Sequence, residues 1–135
     1  MPTAIKDLKG ISSATVDALK RRNISDNEQF VEAAASPAQR KELAEGCGCD
    51  VKTILQLANR ADLARVKGVS GVYGDLLEHA GVDTVKELAT RKPENLHAKL
   101  VETNANMKLT ERPPTVAQVE SWVAQAKELP KTLTY

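Results

Sequence analysis

The residues with the means for nucleophilic, general-base or metal chemistry are Ser12 and Ser70, His79 and His97, and Cys47 and Cys49. Their spacing assembles none of these. Neither serine has a neighbouring base to activate it, and neither histidine has a partner that would make a triad or a general-base pair. Cys47-Gly48-Cys49 offers two ligands, short of a closed zinc site, and the two thiols are too close in sequence to close a loop by a disulfide. Cys49 precedes Asp50, where an apolar side chain is expected to plug a corner between helices. His79 and His97 are expected on the surface. No catalytic residue, no metal site and no cofactor is predicted, and the chain is not expected to be an enzyme.

A different chemistry is written twice. Lys9-Gly10-Ile11-Ser12 and Lys67-Gly68-Val69-Ser70 each place a glycine beside a lysine and a serine at the start of a helix. Glycine permits a tight turn that a side chain would strain, and the serine is placed as the N-cap of the helix that follows. Free amides at such a turn, with the positive end of the helix dipole, form an anion site. Lys9 and Lys67 flank the two turns, Arg65 lies near the second, and Lys20-Arg21-Arg22 closes the helix after the first. Contacts of this kind hold a phosphate backbone without reading its sequence. The basic run also has an ordinary use, as a solvated helix end favoured by the dipole.

The elements that carry these residues are a duplication. Residues 5–34 and 63–92 align without a gap at an offset of 58: Ile5, Leu8, Gly10, Ile11, Asp17 and Leu19 fall on Leu63, Val66, Gly68, Val69, Asp75 and Leu77. Further on, Val51, Ile54, Leu57 and Ala58 match Val116, Val119, Trp122 and Val123 at an offset of 65. The extra residues are expected in the loop 104–115, which holds Pro113 and Pro114. Each copy reads as a short helix, a tight turn and a second helix: Ile5–Leu8 then Ser12–Arg22, and Asp62–Val66 then Ser70–Ala80. Asp62 is expected to cap the helix that opens the second copy. Ser25-x-x-Glu28 and Ser36-x-x-Gln39 read as capping boxes, Asp50 as the cap of the next helix, and Thr115 as the residue before the last one. Trp122 is expected to anchor that last helix, or else to mark a partner surface.

The repeated unit resembles the helix–hairpin–helix motif, in which Gly-hydrophobic-Gly joins paired helices and the turn amides hold a nucleic-acid phosphate. Both copies depart from it at the second glycine, replaced by Ser12 and by Ser70. Copy one ends in Lys20, Arg21 and Arg22, whereas copy two carries Asp75, Glu78 and Asp83, so the first is the better candidate for contact with DNA. A broader resemblance rests on Asn59–Val69, on Tyr73-Gly74-Asp75-Leu76-Leu77, on Ala80–Ala89 and on the terminal helix around Trp122 and Val123. Together these are similar to a bacterial tandem helix–hairpin–helix family of unknown function, domain of unknown function 4332. That resemblance implies the fold and is silent on activity.

Composition bounds the rest. Of 135 residues, 41% are hydrophobic but only 3% aromatic, so the core must be aliphatic. Lys and Arg number 19 against 18 Asp and Glu, which leaves no global field toward nucleic acid or anionic membrane and counts against a dedicated high-affinity DNA binder. No apolar run has the length of a membrane span, and the opening residues hold no apolar signal core, so a cytoplasmic protein is expected. The expected fold class is all-α: two tandem helix–hairpin–helix repeats, each followed by two further helices, packed as one compact unit, with domains at 1–61 and 62–135. Two partners are in play. One is nucleic acid, bound weakly and without sequence preference through Lys9, Gly10, Ser12, Arg65, Lys67, Gly68, Ser70, Lys20, Arg21 and Arg22. The other is a protein, for which the hairpins serve only as scaffold.

Overall fold

A computed structural model describes residues 2–69 and 71–135, and every described element is helical save one isolated antiparallel bridge between Ala4 and Asp26. A 3₁₀ turn, Ile5–Asp7, precedes α1 (Ser13–Lys20), α2 (Asn27–Ala33), α3 (Pro37–Cys47) and α4 (Val51–Leu63). Then come α5 (Val72–His79), α6 (Val85–Ala89), α7 (Pro93–Met107) and α8 (Val116–Glu128). None is long and apolar enough to cross a membrane. The chain divides into two compact units, one of Met1–Arg65 with Thr132–Tyr135, the other of Val66–Lys131.

The two units are built to one plan. In the first, α2 and α3 pack on α4 and α1 packs on α3; in the second, α6 and α7 pack on α8 and α5 packs on α7. At the offset of 65, α4 maps onto α8 from first residue to last. Ile54, Leu57, Ala58 and Ala61 line the buried face of α4, and Val119, Trp122, Val123 and Ala126 that of α8, at the spacing of one helical stripe. The added length of the second copy divides between α7, which runs to Met107, and the link 108–115, which stands where 48–50 joins α3 to α4.

Capping chemistry sets most helix starts. Ser12 accepts from the Thr15 amide, and Ser36–Gln39 and Thr115–Gln118 form complete capping boxes, each supplying partners to orphan N–H groups. Three local expectations are corrected. The box before α2 is Asp26–Gln29 rather than Ser25–Glu28: Gln29 Oε1 accepts from the Ser25 and Asp26 amides while the Asp26 carboxylate accepts from the Gln29 amide. Asp50 stands at the N-cap of α4 but makes no side-chain cap bond. Asp62 opens no helix; it lies in the last turn of α4. α1 and α5 are each followed by three helices instead of two, because the caps at Asp26 and Thr84 start the short α2 and α6.

In the first unit a largely aliphatic core forms around Leu19, Ile54 and Ala58 with the one phenylalanine, Phe30, all fully buried. Burying a side chain such as Phe30 contributes roughly 1.5–3 kcal/mol. Two chain segments close this core from outside the helices. The segment before the 3₁₀ turn pairs with the start of α2: Ile5 N donates to Ser25 O (3.1 Å) and Asn27 N to Thr3 O (2.8 Å). The buried Asn27 side chain accepts from the Thr3 amide (2.7 Å) and donates to Ala61 O (3.0 Å). Residues 132–135 close another side. Leu133 enters the core, Thr134 N donates to Ala35 O (2.7 Å), and the Tyr135 hydroxyl bonds Asn59 Oδ1 (2.9 Å). Arg40, only 3% exposed, donates to Ala34 O (2.8 Å) and Thr134 O (2.7 Å) and lies under the Tyr135 ring. A buried guanidinium is tolerable here because carbonyl oxygens receive its protons.

Candidate functional site

At the first turn, Ile11 N donates to Leu8 O (3.2 Å), and Gly10 holds φ at +86°. That is the demand a type II turn makes on its third residue, and glycine meets it without strain. A Cβ built on Gly10 would meet nothing within 4 Å, and Lys9 and Gly10 are both exposed. Ile11 packs half-buried against the core, so the turn is anchored from beneath and open above. Ser12 spends its hydroxyl on the helix, accepting from the Thr15 amide (3.1 Å) and donating to Thr15 Oγ1 (2.9 Å). The amides of Ser13 and Ala14 open α1 with no acceptor inside the helix, and both residues are exposed.

At the second turn the same bond recurs, Val69 N to Val66 O (3.1 Å), with Gly68 at φ +91°. Its upper face is occupied. A Cβ on Gly68 would lie 3.0 Å from Trp122 Nε1, so the indole of α8 rests on the glycine. Gln125, one turn further along α8, accepts from the Lys67 amide (2.8 Å) and turns its own amide to Lys67 O (3.4 Å). Trp122 is 2% exposed and tilts against Tyr73, 5.4 Å between ring centroids, while the Tyr73 hydroxyl donates to Arg112 O (2.9 Å). Lys67 and Gly68 are exposed like Lys9 and Gly10, but the direction in which a Cβ would project from Gly68 is taken by the indole, and the Lys67 amide is taken by Gln125. Ser70 lies outside the described residues.

The other named cations separate the same way. Arg65 pairs with Asp62 at 2.9 Å, the two side chains only 9% and 6% exposed, so its charge is spent on a carboxylate. Lys20, Arg21 and Arg22 are exposed at the far end of α1. Arg21 Nε donates to Asp17 O (3.3 Å), and Arg22 lies against Gly46 and 3.7 Å from Glu42. The structure therefore brings Lys9, Gly10 and Ser12 together at one end of α1, and the basic run at the other, about 12 Å away along an eight-residue helix.

The cysteines flank Gly48 at the end of α3, half-buried against the core. Burial pushes the Cys47 thiol up from its ordinary value, against the pull of Arg22 and Arg21; burial and the neighbouring Cys47 push Cys49 up as well. Raised thiols are the opposite of activated nucleophiles. His79 is exposed, as expected, whereas His97 is half-buried and bonds Pro114 O at 3.1 Å, fastening the link before α8. Sequence reasoning missed the cover over the second turn. Its signal was present: at the offset of 65 Trp122 stands where Leu57 does, and Gln125 where Arg60 does.

The chain belongs to the family described as Domain of unknown function (DUF4332), whose model matches residues 9–129. No curated protein and no solved structure matches it.

Proposed function

We propose that this protein is a non-enzymatic binding module of helix–hairpin–helix type that holds nucleic-acid backbone, without sequence preference, through the hairpin of its first repeat. The observation that carries this reading is the open space beside Gly10, set against Gly68, where Trp122 fills the corresponding space and Gln125 takes the Lys67 amide. A phosphate approaching the first turn meets an exposed lysine, a glycine with free space above it, and the N-terminal amides of α1. Lys20 and Arg21 extend the positive surface along the same helix. Over that 12 Å span a duplex presents about seven charges, at one per ~1.7 Å. The near-zero net charge makes the binding weak and local rather than long-range.

The test is fluorescence anisotropy with a labelled duplex at two salt concentrations. Binding should weaken steeply with salt, and Lys9→Glu should lower both the affinity and the magnitude of the log–log salt slope, the latter by about 1. Lys67→Glu should change neither appreciably. Equal losses from both reversals would refute the assignment to the first hairpin. A second reading is a protein-interaction module in which both hairpins are scaffold, and the packing of Trp122 onto Gly68 favours it. Absence of duplex binding at low salt decides for that reading.

A further inference from the structure

The second unit has a solvent-open hollow of about 340 Å³ beside the start of α7, lined by residues that differ between the two copies. At the offset of 58, Ala80 stands where Arg22 stands. In the first unit the Arg22 side chain lies across α3, against Gly46 and near Glu42. In the second a methyl group stands at that position and lines the hollow. Ala80 and the buried Leu96 form apolar lining. Arg91, Lys92 and Lys99 bring three cations to it, with the Asn95 side chain beside them, and no lining residue is acidic. Two of those cations belong to this copy alone, since Arg91 and Lys92 replace Ala33 and Ala34. The Arg91 guanidinium is held at Gly81 O (3.2 Å). Thr90, also in the lining, gives its hydroxyl proton to Glu87 O (2.7 Å), which leaves Arg91, Lys92, Lys99 and Asn95 as the donors.

We propose that this cavity is a phosphate site, separate from the first hairpin, that takes the phosphate or pyrophosphate group of a small phosphorylated compound. Three like charges around one hollow repel each other, and an anion among them converts that repulsion to attraction. Guanidinium and ammonium donors suit phosphate oxygens. The volume falls in the range of small-molecule sites. A phosphodiester backbone offers the same chemistry, so the source is decided by experiment.

The experiment titrates the full chain with sodium pyrophosphate and, separately, with a short single-stranded oligonucleotide, following backbone amide shifts by NMR. Pyrophosphate should produce saturable shifts at Ala80 and across Thr90–Lys99. Lys99→Glu and Arg91→Glu should each weaken binding about tenfold or more, a loss of about 1.4 kcal/mol. Ala80→Met keeps every cation but fills the hollow, and should weaken binding as much while the amide spectrum stays folded. Lys9→Glu should leave pyrophosphate binding unchanged, which separates this site from the hairpin reading. Shifts with pyrophosphate alone support a small phosphorylated ligand. The same amides shifting with oligonucleotide, in competition with pyrophosphate, keep the phosphate site and assign it to nucleic acid. No saturable shift with either probe, or full binding by Ala80→Met, overturns the proposal.

Discussion

At Gly10 and at Gly68 the chain makes the same turn, closed by the same hydrogen bond three residues apart and by a glycine at nearly the same φ. Above Gly10 there is open space; above Gly68 there is an indole and, beside it, a glutamine side chain bonded to the Lys67 backbone. The difference does not arise in the turns. It arises in the last helix of each unit, where Leu57 and Trp122 hold the same position on α4 and α8. A duplicated motif can thus keep its backbone and change its availability through a residue more than fifty positions away. A motif match identifies the turn and leaves open whether its amides face solvent.

The largest expected effect comes from removing that cover. Trp122→Ala should destabilise the protein by about 3–5 kcal/mol, the cost of truncating a buried aromatic and leaving a cavity. Leu57→Ala, at the matching place, should cost about 2–5 kcal/mol for the smaller volume removed. Urea denaturation of both variants measures the pair. If Trp122→Ala cost less than Leu57→Ala, the indole would be ornament on the turn rather than its support, and the contrast between the copies would fail.

A smaller effect separates the two glycines themselves. Alanine at either forces an L-residue to positive φ, which costs about 1–2 kcal/mol. Gly10→Ala should show that cost alone, since its new methyl meets nothing within 4 Å. Gly68→Ala adds a methyl 3.0 Å from Trp122 Nε1, and displacing a well-packed ring adds about 1–3 kcal/mol. Thermal unfolding should therefore rank Gly68→Ala below Gly10→Ala in stability. Equal melting temperatures would mean that the indole yields at little cost.

How much of this was legible in sequence depends on the range of the interaction. The offset of 65 placed the apolar stripes of α4 and α8 in register, because burial repeats with the helical period and needs only local pattern. The caps at Ser12, Ser36 and Thr115 were legible for the same reason. Asp62 misled because an aspartate before an apolar run is what a helix start contains; its true setting depends on Arg65, which neutralises it inside a helix end. Ser25 misled because Asp26 beside it is also a capping residue, and Gln29 rather than Glu28 answers it. The indole against Gly68, the closure of the first core by Leu133 and Arg40, and the hollow lined by Ala80 and Lys99 were not legible from local pattern. Each joins residues distant in sequence, and periodicity tells which face is apolar but not what that face meets.

The smallest expected effect tests how the second turn is held rather than whether it is covered. Gln125 is half-buried on α8, but its bond to the exposed Lys67 backbone is open to solvent, where water replaces a lost partner readily. Gln125→Ala should therefore cost only about 0.5–1 kcal/mol. Hydrogen exchange resolves so small a change residue by residue: the Lys67 amide should exchange about two- to fivefold faster, by the relation in which 1.4 kcal/mol is tenfold. The Ile11 amide, bonded to Leu8 O in the other unit's turn, should keep its rate. If the Lys67 amide stays as protected as before, Trp122 alone shields the turn, and glutamine at this position follows the indole instead of assisting it.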